Sequence, residues 1–136
     1  MATQQMDRTA PPNRGGVERY LREMIESHQD DPDYRVEFAC YFHSRPDTID
    51  LIEVSPNVLD PGDEEFYSIC LAAPPTFSDV RHLRITLITP SEFDRARRKP
   101  DSPGGQMLDR LRRGQDFHVL AGDRSRYAQE LRRAAI

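Results

Sequence analysis

The chain has 136 residues, long enough for one domain with a real core; 37% are hydrophobic, 31% charged, and the net charge is −4. No apolar run approaches the roughly 20 residues needed to span a bilayer, and the acidic total argues against a general polyanion binder. Residues 1–16 hold no apolar stretch of the secretory type, and both cysteines lie in strand-like runs, so the expectation is a cytoplasmic protein with Cys40 and Cys70 as reduced core residues.

Met1–Gly16, with Gln4, Gln5, Pro11, Pro12, Gly15 and Gly16, reads as a disordered arm ahead of a single domain over residues 17–136. Val17, Tyr20, Leu21, Met24, Ile25 and His28 form one apolar stripe at helical spacing. Pro32, amid Asp30, Asp31 and Asp33, ends that helix. Tyr34–Phe42 alternates as a half-buried strand, with Tyr34, Val36, Phe38, Cys40 and Phe42 on one face. A hairpin loop at His43–Asp47 leads to a return strand, Thr48–Val54. Ser55–Asp63 is a loop with a turn at Pro61-Gly62, and Glu65–Ala72 is a third strand.

Leu83, Ile85 and Leu87 alternate with Arg84, Thr86 and Ile88 in a fourth strand, which runs straight into a capped helix. Thr89 is the cap, Pro90 occupies the first helical position, and Glu92 stands where its carboxylate can reach back to the cap amide. Ile88 and Phe93 are placed to form a hydrophobic staple. Pro100–Gly105 breaks that helix before a second short one carrying Met107, Leu108 and Leu111, which stops at Gly114. A last strand over Asp116–Ala121 precedes a helix capped by Asp123, with a stripe of Tyr127, Ala128, Leu131 and Ala134. The pattern predicts an α+β domain: an antiparallel-rich sheet of about five strands with helices packed mainly on one face.

Few residues are spaced for chemistry. His28, His43, His82 and His118 are scattered, and no two stand at the separation of a zinc pair on a helix or strand. Asp60, Asp63, Glu64 and Glu65 surround Gly62 without the alternating acids of a calcium loop. Gly104-Gly105 precedes a helix but lacks the Gly-Lys-Ser/Thr of a phosphate loop. Neither a metal nor a cofactor is expected.

Charge is distributed unevenly. Residues 1–80 hold 6 arginines against 16 acids, a net of −10; residues 81–136 hold 13 bases against 7 acids, a net of +6, and Lys99 is the single lysine. Arginine offers a planar fork for carboxylates and phosphates, so Arg95, Arg98, Arg110, Arg112 and Arg113 are the candidate partner-binding residues. The scarcity of aromatic residues among them disfavours nucleic acid.

Leu83–Leu87, Thr89-Pro90-Ser91-Glu92-Phe93, Leu108–Gly114 and Val119-Leu120 together resemble the C-terminal part of minimal nucleotidyltransferase domains, over about residues 83–123. That family places Gly-Ser after one strand and paired acids on the next, to hold magnesium and a triphosphate. Here Phe42-His43-Ser44-Arg45 carries His43 in place of the glycine, and Arg84 falls near the place of the third carboxylate. The resemblance implies a degenerate relative, with Ser44, Asp47 and Asp50 as a reduced nucleotide or metal site.

The leading expectation is a small, non-catalytic interaction or regulatory module with a protein partner. An exposed sheet edge and opposite charge lobes point also to a homo-oligomer. The alternatives are a nucleotide-binding protein or enzyme using Ser44, Asp47 and Asp50, and a nucleic-acid binder using the Arg-rich C-terminal helices.

Overall fold

A computed structural model describes residues 14–56, 66–77, 79–114 and 116–134. Its elements follow the expected order: α1 (Arg14–Gln29), β1 (Phe38–Arg45), β2 (Thr48–Val54), β3 (Phe66–Ala72), β4 (His82–Ile88), α2 (Pro90–Arg98), α3 (Pro103–Arg113), β5 (His118–Ala121) and α4 (Arg126–Ala134). The five strands form one open sheet in the order β3-β4-β2-β1-β5. Three neighbouring pairs are antiparallel and one, β2 with β4, is parallel. The protein is therefore an α+β domain with a mostly antiparallel sheet.

β2 and β3 follow one another in the chain, yet β4 lies between them in the sheet. Every residue of β2 is buried, which demands a strand on both of its sides and cover on both faces. β1 is also buried on both faces over Phe38–Phe42, rather than half-buried as the alternation implies. It starts at Phe38, four residues later than predicted. Val36 consequently joins Ala39 and Tyr41 in the core on the α1 side, while Phe38, Cys40 and Phe42 face the other way.

Two cores sandwich the sheet. On one face, Val17, Leu21 and Ile25 of α1 pack on Tyr41, Ile49, Leu51 and Leu83. On the other, α2, α3 and α4 bring Phe93, Met107, Leu108, Leu111, Tyr127 and Leu131 onto Phe42, Ile52, Val54 and Ile88. Burying each large apolar side chain of this kind contributes about 1.5–3 kcal/mol before the entropy of ordering is charged against it.

The β4–α2 junction is built as its sequence indicates. The Glu92 amide donates to the Thr89 hydroxyl at 3.2 Å, and Pro90 opens the helix. Ile88 and Phe93 are both fully buried in the same core, as a staple requires. The Glu92 carboxylate is paired with Arg95 at 3.0 Å.

Several boundaries differ from expectation. The first helix begins at Arg14, inside the predicted arm; residues 1–13 of that arm, like the loop at 57–65 with its acidic cluster, lie outside the described residues. Gly104 and Gly105 fall within α3 rather than ahead of it. Ser102 caps that helix, and a Cβ on Gly105 would stand 2.4 Å from the Pro100 carbonyl, so the tight passage from α2 to α3 needs a glycine there. β5 starts at His118. The cap of α4 is Ser125, whose hydroxyl accepts from the Ala128 amide, while Asp123 pairs instead with Arg132. Cys70 is exposed on the edge strand β3, not in the core; both cysteines are free thiols. No helix of the described residues is long and apolar enough to cross a membrane.

Candidate functional site

β2 carries an aspartate in the middle of an apolar run, Thr-Ile-Asp-Leu-Ile-Glu-Val, and the sheet leaves that residue, Asp50, with no exposed surface. An ionised carboxylate there needs partners. Three are supplied from three different elements. The Ser44 hydroxyl, near the end of β1, donates to Oδ1 at 2.7 Å. Arg110, in the last turns of α3, donates through Nε to Oδ2 at 3.2 Å. Arg84, the direct partner of Asp50 in the β2–β4 ladder, approaches the same oxygen at 3.6 Å.

A cavity of about 450 Å³ opens over this cluster, on the face covered by α2, α3 and α4. Arg84 and Arg110 form its inner wall with Ser44. Arg45 and Thr48 enter from the β1–β2 hairpin, Cys70 and His82 from the β3–β4 end of the sheet, and Arg113 from the end of α3. Arg113 also pairs with Asp109 at 3.0 Å, both side chains being largely exposed. Two guanidinium groups, Arg84 and Arg110, thus hold one carboxylate, and two more, Arg45 and Arg113, line the cavity beside them. With Asp50 counted against them, the cavity keeps an excess of positive charge, and its arginine forks suit a phosphate or a carboxylate.

A second, larger depression of about 820 Å³ lies between α1, α3, β5 and α4. Its lining holds three acids, Glu18, Asp116 and Asp123, against Arg112 and Arg132, with Asp123 and Arg132 paired to each other, so it carries no excess of positive charge. Glu18 is held below the usual carboxylate range chiefly by its hydrogen bond from Arg22, with a further one from the Tyr41 hydroxyl. His118 stacks on Tyr41 there, with ring centroids 5.0 Å apart. His43 is pushed below its ordinary value by burial and by the neighbouring His118, which favours its neutral form.

A third polar group is enclosed rather than open. Glu53, fully buried on the α1 face of β2, is hydrogen-bonded to His28 Nδ1 at 2.9 Å. Burial raises its pKa, and the bond to His28 only partly offsets that. Tyr34 lies against it, its phenol pushed up by burial and then by the nearby Glu53 charge.

The residues singled out in the sequence are therefore regrouped. Ser44, Arg110 and Arg113 line one cavity, with Asp50 buried against Ser44 and Arg110, joining two separate expectations. Asp47 does not line that cavity; its carboxylate accepts from the Thr48 hydroxyl at 3.0 Å. Arg95 is tied to Glu92 on α2, Arg98 is exposed on the same helix, and Arg112 lines the larger depression. Among the described residues no group of three or more His, Cys, Asp or Glu is placed to hold a metal ion. Both oxygens of Asp50 are engaged by Ser44 and the arginines.

Arg45, Arg84 and His82 were not candidates from the sequence. The signal for Arg84 was an acid, Asp50, within an apolar strand, which needs a cation beside it; Arg45 and His82 are exposed and carried no such signal. Comparison with protein-family models, with curated proteins and with solved structures returned no match.

Proposed function

We propose that the protein is a non-catalytic binding module whose cavity at Arg45, Arg84, Arg110 and Arg113 receives a compact anionic group, a phosphate or carboxylate carried by a protein partner. One observation supports this reading above the rest: four arginines line one cavity, and the carboxylates paired with them, Asp50 and Asp109, offset only two of the four positive charges. Asp50, itself held by Ser44, fixes the inner guanidiniums, so little ordering remains to be done when an anion arrives. The cavity volume falls within the range of small-ligand sites, roughly 300–1,000 Å³. The mixed-charge depression near Glu18 offers no such excess.

The test is a thermal-unfolding titration with inorganic phosphate, pyrophosphate and citrate, since a ligand that binds only the native state raises the midpoint. Wild-type protein is expected to show a rise that saturates at millimolar ligand and shrinks with added sodium chloride. The double variant Arg45→Glu, Arg113→Glu should lose the rise and keep its circular dichroism spectrum, because neither residue is paired with Asp50. An equal rise in that variant, or none in the wild type, rejects the cavity as an anion site.

A further inference from the structure

We infer that the protein forms a two-fold symmetric dimer by antiparallel pairing of β3 with β3 of a second copy, Ile69 lying on the axis. This does not depend on the anion cavity. β3 is the outermost strand of the sheet, and none of its seven residues, Phe-Tyr-Ser-Ile-Cys-Leu-Ala, is charged or proline. Natural edge strands are ordinarily blunted by such residues. Its side chains Tyr67, Ile69 and Leu71 are 43%, 37% and 43% exposed, on the α1 face of the sheet. They continue a stripe with Ile85 and Leu87 of β4, which are only partly buried.

The main chain fixes the register. The Ser55 amide donates to the Ile88 carbonyl, and the His82 amide to the Asp47 carbonyl, so the even residues of β4 bond towards β2. Its odd residues, Leu83, Ile85 and Leu87, accordingly bond to their partners Leu71, Ile69 and Tyr67. The Ala73 amide, donating to the Arg81 carbonyl, follows the same alternation. The peptide groups of Phe66, Ser68, Cys70 and Ala72 therefore point away from the sheet.

A two-fold axis through Ile69 sets Phe66 opposite Ala72, and Ser68 opposite Cys70, of the second copy. It uses all four outward residues of each strand, for about eight new main-chain hydrogen bonds. The same register sets Ile69 against Ile69 and Tyr67 against Leu71 in the closer, non-hydrogen-bonded pairs. Every exposed apolar side chain of the strand meets an apolar one. Shifting the axis by one residue either way leaves an outward peptide group unpaired at the strand end.

The exposed surface of β3 is on the order of 500 Å² per copy, so pairing covers at most about 1,000 Å² in total, the size of a weak association held chiefly by its main-chain bonds. Such a dimer is expected to dissociate on dilution. The contact is isologous and consumes the edge in both copies, so it closes at two chains.

The experiment is sedimentation equilibrium of the full chain at about 100 µM and on dilution. A mass of twice the 15.7 kDa chain is expected at the higher concentration, falling towards one chain at low micromolar. Ile69→Lys sets like charges face to face and should give a monomer with unchanged circular dichroism. Ile69→Cys combined with Cys70→Ser should form an intermolecular disulfide under mild oxidation, whereas a cysteine at exposed Arg112 in the same Cys70→Ser background should not. A monomeric wild type at 100 µM, a dimeric and folded Ile69→Lys protein, or failure of the position-69 cysteine to cross-link overturns the inference. If Ile69→Lys fails to fold, the cross-link decides.

Discussion

Asp50→Asn changes one charge and almost no volume, and it isolates what the buried acid does for the fold. The amide oxygen can still accept from the Ser44 hydroxyl, but Arg84 and Arg110 lose their counter-ion. Breaking a fully buried pair by removing one partner costs about 3–5 kcal/mol, because the other charge is left behind. Here the two arginine side chains keep 30% and 23% of their exposure, so water relieves part of that penalty. The expected loss is about 2 kcal/mol, a fall in Tm of roughly 6–10 °C for a domain of this size.

Urea unfolding followed by circular dichroism measures it, with Arg110→Met and the double variant completing a cycle. If the pair is coupled, Arg110→Met costs the Asp50→Asn protein less than it costs the wild type, by about 1.5 kcal/mol. Additivity of the two changes within about 0.5 kcal/mol would refute the view that Asp50 holds the inner wall of the cavity.

Two further predictions concern the other side of the sheet and its turn. Glu53 has a folded-state pKa raised above its ordinary 4.5, so its contribution is fully present below about pH 4.5 and is lost as pH rises through the folded value. Glu53→Gln should therefore gain stability relative to wild type as pH is raised from 4.5 to 7, read by urea unfolding at each pH; a difference that does not change with pH would contradict the assignment. Gly122 has φ +74°, and a Cβ there would stand 2.2 Å from the Glu37 carbonyl. Gly122→Ala should cost at least about 2 kcal/mol, combining the left-handed penalty with displacement of the β1 entry. A midpoint unchanged in thermal unfolding would show that the turn relaxes freely.

Local signals in the sequence translated well into elements. Thr89-Pro90-Ser91-Glu92 marks a helix start because a cap hydroxyl and a proline satisfy the first turn without help from the rest of the chain. The stripe of Val17, Leu21 and Ile25 marks the buried side of α1 for the same reason of spacing. What was not legible is the sheet order. Alternation along β4 says which residues share a face but not that the strand enters between β2 and β3, and Arg84 meets Asp50 only because it does. The exposed stripe of β3 was hidden likewise: alternation sets Tyr67, Ile69 and Leu71 on one face but does not say that the strand lies at the edge. Arg110 and Arg112 are two residues apart on one helix, so they point to different cavities, a divergence invisible in a count of arginines.

The two proposed surfaces meet along β3 and β4. Odd residues of these strands present the apolar stripe on the α1 face, and even residues present Cys70, His82 and Arg84 to the cavity on the other. Pairing through Ile69 sets Ser68 of the second copy beside Cys70, so two arginine cavities would open on the same side of one continuous sheet, flanking the axis. A partner with two anionic groups would then bind the dimer more tightly than either group alone, by raising the effective concentration at the second cavity. Ile69→Lys separates the two properties. It should leave affinity for inorganic phosphate unchanged, since residue 69 is on the opposite face, while abolishing any advantage of a divalent ligand. Loss of monovalent binding in that variant would mean that the cavity is completed by the second copy.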